Sequence, residues 1–297
     1  MVRRHPERLA TPRTREPMSF PSASSHVQPS SSFGDLLKTW RGKRRLSQLD
    51  LALQAGVSQR HISFLESGRA KPSREMTLQL SETLSVPLRD RNDWLVAAGF
   101  APLFRARSLD DPQMQQVLSA VRLMLRNHEP FPALALDRAW TIRLTNAAFD
   151  RLVGLLGSDI WTRIGGADRN LMRLVFHPQG IRPLVENWKT VAPLLWYRAC
   201  READAIGGEP MQATLRELQP YQEADTLRLA EDTTLLPVLP LVLKRDGLRA
   251  SLFSVIATFG TAQDVTADEL RIESFFPADA STEQLFRSLA AASDPTS

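Results

Sequence analysis

The sequence predicts two domains of different class, an all-α bundle of five short helices followed by an α+β domain built around an antiparallel sheet. Three observations predict this. The 297 residues make about two domains' worth of chain. Apolar residues recur at helical spacing from Phe33 to Gly99, whereas beyond Pro102 short β-like runs mix with helices without strict alternation. Charge divides near the same place: residues 1–107 hold 18 Lys+Arg against 9 Asp+Glu, and residues 108–297 hold 19 against 24. The total of +4 therefore conceals a basic third and an acidic remainder, which points to a polyanion as the partner of one end only.

Residues 1–32 carry five Pro, seven Ser and five Arg with few large apolar residues. Such a segment buries too little surface to offset its ordering entropy, so a disordered arm is expected. Two readings of residues 1–17 stay open: part of that arm, or an extension upstream of a start at Met18. Order is expected from Phe33. Phe33, Leu36, Leu37 and Trp40 fall at i, i+3, i+4 and i+7 on one helix face. Ser47 with Asp50 three positions on signals a helix start, and that helix runs to Gln54. Gly56 breaks it, Ser58 caps a third helix with Ile62 and Leu65 inward, and Gly68 closes that one. Ser73 opens a fourth helix with Met76, Leu80 and Leu84 on one face. Pro87 interrupts, and residues 88–98 form a fifth closed by Gly99. Residues 33–102 are the expected first domain.

Residues 103–292 are the expected second domain, with 293–297 a tail. Residues 110–128 read as a helix through Met114, Val117, Leu118, Val121 and Leu125. Two short strands follow at 133–136 and 140–144, then a helix at 146–152. A long helix is expected from Ile181 to Ala199, bent at Pro193. Residues 237–243 and 248–259 read as strands joined at Asp246-Gly247, a strong hairpin signal. Pro237 and Pro240 confine the first of them to an edge or a bulge. A last strand at 271–276 and a closing helix at 282–292 complete the pattern.

Several function classes fall away. A single cysteine, Cys200, forms no internal disulfide, and no apolar run approaches the roughly 20 residues that span a bilayer. No apolar segment follows Arg3-Arg4, so no signal peptide is expected and the expected location is the cytoplasm. Nucleotide-binding, serine-hydrolase and zinc-protease motifs are missing from the sequence. The five histidines (5, 26, 61, 128 and 177) lack metal-ligand spacing. Asp110-Asp111 and Glu231-Asp232 suit caps and loops better than acid/base work. No enzyme, cofactor or metal is expected. Cys200 reads either as a redox-sensing thiol or, more commonly for a lone cysteine, as a small buried hydrophobe.

The richest stretch is residues 47–73, SQLDLALQAGVSQRHISFLESGRAKPS, within a segment (33–75) of 9 basic and 4 acidic residues. Two short helices joined by a glycine turn make a helix-turn-helix, whose second helix enters the major groove of DNA with its first residues facing base edges. Here that helix begins Ser58-Gln59-Arg60-His61 and exposes Ser63 and Phe64. Gln pairs with adenine, Arg with guanine, and Phe meets a thymine methyl. Leu51, Ala52, Val57, Ile62 and Leu65 read as core alone. Lys43-Arg44-Arg45 reads equally as a solvated helix end or as a phosphate contact.

The run S-Q-x-x-L-A-x-x-A-G-V-S-Q-x-x-I-S-x-x-E-x-G-x-x-x-P closely resembles the phage-repressor-like Xre helix-turn-helix domains. The resemblance implies that Gln48 anchors a phosphate, that Ser58, Gln59, Arg60, Ser63 and Phe64 read bases, and that Ser67, Arg69 and Lys71 touch phosphate. It also implies a structural ion pair between Arg41 and Glu66. The second domain's opening, from RARSLDDPQMQQ to TIRLTNAAFDRLVG, and its late LRIESFFPAD resemble the MmyB-like regulators. That resemblance implies a PAS-like ligand-binding domain and a small apolar ligand such as a fatty acid. Residues 207–236 match least. Trp140, Phe149, Trp161, Phe176, Trp188, Trp196, Phe253 and Phe275 supply aromatic surface for such a pocket, although each also reads as plain core. The expectation is a one-component regulator, a homodimer on a two-fold double-stranded DNA operator with no membrane association. The alternatives are a protein-interaction adaptor built on the same helical fold, and a flavin- or haem-bearing sensor.

Overall fold

The computed structural model describes residues 31–206, 208–222 and 237–293. The expected arm up to residue 30, the pair Glu231-Asp232 and the tail from 294 lie outside the described residues. The first domain holds α1 (Phe33–Lys43), α2 (Gln48–Gln54), α3 (Gln59–Glu66), α4 (Arg74–Thr83) and α5 (Leu88–Ala97). The first four helices start on serine hydroxyls. Ser32, Ser47, Ser58 and Ser73 each accept the backbone N–H three residues on, and Asp35 and Asp50 reach back to complete capping boxes. A cap of this kind contributes about 1 kcal/mol, which matters for helices of two to three turns. Leu37, Leu51, Ile62, Leu65, Leu80 and Trp94 bury their side chains together, and Phe33 meets Trp94 edge-on at 5.5 Å. α1 crosses α3 so closely that a Cβ at Gly34 would lie 2.5 Å from the Glu66 carbonyl oxygen.

The second domain runs α6 (Gln115–Asn127), β1 (Ala133–Leu136), β2 (Ile142–Thr145), α7 (Ala147–Gly157), α8 (Ile160–Ile164), α9 (Leu171–Phe176), α10 (Trp188–Ile206), α11 (Glu209–Leu218), β3 (Leu241–Arg245), β4 (Leu248–Thr258), α12 (Val265–Glu269), β5 (Arg271–Pro277) and α13 (Ala280–Ser293). Every strand pairing is antiparallel, in the order β2-β1-β5-β4-β3. β3 and β4 turn through Asp246 and Gly247, both left-handed at φ 47° and 84°, the turn whose twist suits a hairpin. β3 is an edge strand with Pro237 and Pro240 just ahead of it, as the prolines require. The main core lies between the sheet and α7 to α11, around Leu134, Leu174, Phe176, Trp196, Leu215 and Leu252. α6 covers the opposite face, setting Val121 and Leu125 against Ala133, Ala135 and Ile272.

The long helix expected from Ile181 starts only at Trp188. Residues 182–184 form a 3-10 turn, Val185 bridges to Leu243, and the Asn187 side chain bonds the Pro240 carbonyl and the Val242 N–H. This stretch serves the open edge of β3 before turning helical, so its apolar spacing reflects two elements. Pro193 sits inside α10. α8, α9 and α12 were not foreseen, because one or two turns give too few apolar repeats to define a period; α11, nearly three turns long, falls in the stretch 207–236 that matched the family pattern least.

The two domains meet through polar contacts on α12. Arg89 of α5 holds Glu269 with two hydrogen bonds, 2.6 and 2.9 Å, and the Leu88 N–H donates to Asp268 at 3.2 Å. The connection between the domains is tied to the same place, with Arg107 on Asp264 at 2.7 Å and the Val265 N–H on the Arg105 carbonyl at 2.8 Å. No helix among the described residues is long and apolar enough to cross a membrane.

Candidate DNA-reading face and ligand pocket

Glu66 organises the helix-turn-helix. Its carboxylate accepts from Arg41 Nε at 2.6 Å, Arg41 Nη2 at 3.1 Å and Gln48 Nε2 at 2.7 Å, binding α1, α2 and α3 at one point. Burial alone raises the Glu66 carboxyl, but these hydrogen bonds outweigh it and hold the group below its ordinary value. Arg41 is raised in turn, chiefly by its hydrogen bonds to Glu66. The Gln48 side chain is thus turned inward to this clamp at the first position of α2. Gly56, at φ 64°, makes the turn between α2 and α3.

At the start of α3 the Ser58 hydroxyl accepts the His61 N–H at 3.1 Å, which fixes the first turn. Gln59 and Arg60 are exposed there, while His61, Ser63 and Phe64 are half-buried. The Arg60 guanidinium lies 5.1 Å from the centre of the Phe64 ring, one helical turn away. Phe64 therefore supports Arg60 from behind, a role the residue pattern alone did not suggest. Ser67, Arg69 and Lys71 are exposed on the loop after α3, which folds back through the Arg69 and Ala70 N–H groups onto the Phe64 carbonyl. The basic run after Trp40 has a structural member: Arg44 caps the end of α4 through the Leu84 and Ser85 carbonyls at 2.8 and 2.9 Å. Lys43 and Arg44 both lie over the Trp40 ring.

The second feature is an apolar pocket of about 90 Å³ between α9, α10 and strands β3 to β5. Of the aromatic residues singled out, Phe176, Phe253 and Phe275 line it. Trp188 and Trp196 stand one layer back, edge-on to Phe176 at 5.6 and 5.3 Å. Phe149 and Trp140 are buried in the surrounding core, and Trp161 packs against it. Sequence reasoning missed the polar end of the pocket. Arg198 and Glu202 of α10 and Glu273 of β5 face it. Arg198 pairs with Glu273 at 3.9 Å, Glu202 pairs with Arg271, and Trp140 Nε1 donates to Glu202 at 3.2 Å. The period-2 pattern of β5 carried the signal, since it sets Arg271, Glu273 and Phe275 on one face. Cys200 is buried beside these residues and its thiol is pushed up to about 11 by burial, so it stays protonated and packs as a hydrophobe. Among the described residues no group of three His, Cys, Asp or Glu is placed to hold a metal ion.

Two family models match this arrangement. Residues 37–90 match the helix-turn-helix model, and residues 117–289 match the MmyB-like transcription regulator ligand binding domain. The chain belongs to the MmyB-like transcription regulators. The helix-turn-helix match falls on the domain that carries the exposed α3, and the ligand-binding match contains the whole sheet and the pocket. This MmyB-like regulator is thus a DNA-binding transcription regulator with its own ligand-binding domain. Among solved structures, four chains match. One, the structure of an RNA-binding light-oxygen-voltage receptor, is 12% identical with a TM-score of 0.23, over 85% of this chain and 60% of that one. No curated protein matches this MmyB-like regulator.

Proposed function

We propose that this regulator, as a homodimer, binds a two-fold DNA operator and that an apolar ligand with an acid head group, such as a fatty acid, changes its affinity. Residues 33–102 read the DNA and residues 103–292 take the ligand. Ser58, Gln59, Arg60, His61, Ser63 and Phe64 face the bases, with Gln59 and Arg60 contributing most of the sequence preference. Gln48, Ser67, Arg69 and Lys71 serve the phosphates, Gln48 while shared with Glu66. In a two-fold dimer the two α3 helices enter successive major grooves roughly 34–36 Å apart.

The observation that carries this reading is the exposed first turn of α3. Gln59 and Arg60 point to solvent from a helix whose rear is locked by Glu66 and whose arginine is held over Phe64. Such a surface is rigid before DNA arrives, so little side-chain entropy is lost on binding. The pocket supports the ligand half, since its wall is apolar and its one polar end carries Arg198, the natural partner of a carboxylate. At about 90 Å³ it is smaller than the roughly 300 Å³ at which ligand pockets begin, so the ligand must widen it.

Selection of binding sites from a randomised duplex pool tests the DNA half, and the expected outcome is enrichment of a pseudo-palindrome. A pool that stays random after repeated rounds refutes it. Native mass spectrometry of the full chain checks the dimer and any co-purified acid in the same spectrum.

A further inference from the structure

The pocket and the DNA-binding domain share one stretch of chain. Glu269 ends α12 and Glu273 lies four residues on in β5, roughly 13 Å away in extended chain. Glu273 and Phe275 face the pocket. Glu269 faces the other way, held by Arg89 of α5 at 2.6 and 2.9 Å and by Arg138 at 3.1 Å. Of the three residues between them, Leu270 and Ile272 are buried and apolar, and Arg271 is charged and paired. Arg271 bonds Glu202 at the pocket's polar end and donates to the Arg138 carbonyl at 3.3 Å. A line of contacts therefore runs from Glu202 at the pocket through Arg271 and Arg138 to Glu269 and Arg89, with the Arg198–Glu273 pair beside its pocket end, and most of it is shielded from water. The Glu269, Glu273, Arg138 and Arg271 side chains are all 10% exposed or less.

We propose that α12 and the start of β5 relay pocket occupancy to the DNA-binding domain, with Glu269 as the latch that holds α5 through Arg89. This rests on the reading of the pocket as the ligand site. An occupant too large for the cavity must displace β5 or α10, and an acid head group competes with Glu273 for Arg198. Glu273 is too buried to remain without a counter-charge, and Arg271 lies two residues away on the same strand face. Drawing Arg271 toward Glu273 pulls it from the Arg138 carbonyl, and Arg138 is the second holder of Glu269. The latch then has two arrangements, and the ligand favours the one in which α5 is released. Coupling of this sort changes affinity typically by about 5- to 150-fold.

The test measures operator affinity of the full chain with and without dodecanoate, in the parent and in Arg89→Ala and Glu269→Gln. Arg89 is half-exposed on α5, so its truncation leaves the core untouched. The parent is expected to change affinity at least about 5-fold, and the variants less than about 2-fold, while dodecanoate binding followed by calorimetry stays the same. A second arm replaces the ligand by a side chain. Ala199 lines the pocket, so Ala199→Leu fills it from α10 and should shift operator affinity in the parent but not beside Arg89→Ala. If dodecanoate does not bind while Ala199→Leu still acts through Arg89, the ligand chemistry is wrong and the relay stands. Equal shifts with and without Arg89, or no shift in the parent from either occupant, overturn the relay.

Discussion

Replacing Glu66 by Ala removes the single carboxylate on which three helices converge. Three hydrogen bonds are lost, two from Arg41 and one from Gln48, and the Arg41 guanidinium is left with the Leu46 carbonyl at 2.7 Å. Breaking a fully buried pair costs about 3–5 kcal/mol because a charge is stranded, whereas an exposed pair is worth about 0–1 kcal/mol. The side chains here are 16% exposed for Arg41 and 6% for Glu66. Arg41 can thus recover part of its hydration, and the expected loss is about 2–3 kcal/mol. With two domains a single melting temperature mixes two transitions, so the assay is hydrogen exchange by mass spectrometry on peptides spanning α1 to α3. A loss of 2–3 kcal/mol speeds globally limited exchange there roughly 30- to 150-fold, at about 1.4 kcal/mol per tenfold. Peptides from the β4–β5 sheet should be unchanged. If exchange in α1 to α3 rises less than about 3-fold, the clamp is not what joins these helices.

Other consequences follow from the same geometry. Arg60→Ala should cost on the order of 1–3 kcal/mol on the selected operator and relax preference at one base position; a uniform loss on all duplexes would place Arg60 on phosphate. Lys71→Ala should weaken binding to any duplex and lower the slope of log affinity against log salt by about one unit; an unchanged slope would remove Lys71 from the interface. The lowered Glu66 carboxyl sets a pH dependence. A carboxyl held below its unfolded value contributes stability that is complete above the unfolded value and is lost as pH falls through the folded one. Protection of α1 to α3 should therefore hold from neutral pH down to about 5 and decline below about 4, and this decline should be absent in Glu66→Gln.

Much of the first domain was legible because its signals are local. Four serines at helix starts, Gly56 at the turn and the i, i+3, i+4, i+7 spacing of Phe33, Leu36, Leu37 and Trp40 each act within a few residues. The Arg41–Glu66 contact spans 25 residues, yet the motif implied it. The β3–β4 hairpin was legible for the same reason, through Asp246-Gly247. The segment 181–199 misled because apolar spacing does not show that Val185 and Asn187 are claimed by the β3 edge. The pocket was half visible. Aromatic residues are counted easily, but which of them line a space depends on how α9 and α10 cross the sheet, and that crossing brought Phe176, Phe253 and Phe275 together while leaving Trp140 and Phe149 in packed core. Arg198 and Glu273 come from elements 75 residues apart (198 to 273) and pair only in the folded chain.

Modulation of DNA affinity from the pocket is the centre of this account, and one titration meets it directly. The dissociation constant of the full chain for its selected operator duplex is measured by fluorescence anisotropy at fixed salt, with and without saturating dodecanoate, occupancy being confirmed by calorimetry in the same buffer. The account predicts a shift of at least about 5-fold. Unchanged affinity, within a factor of about two, with the acid demonstrably bound would contradict it.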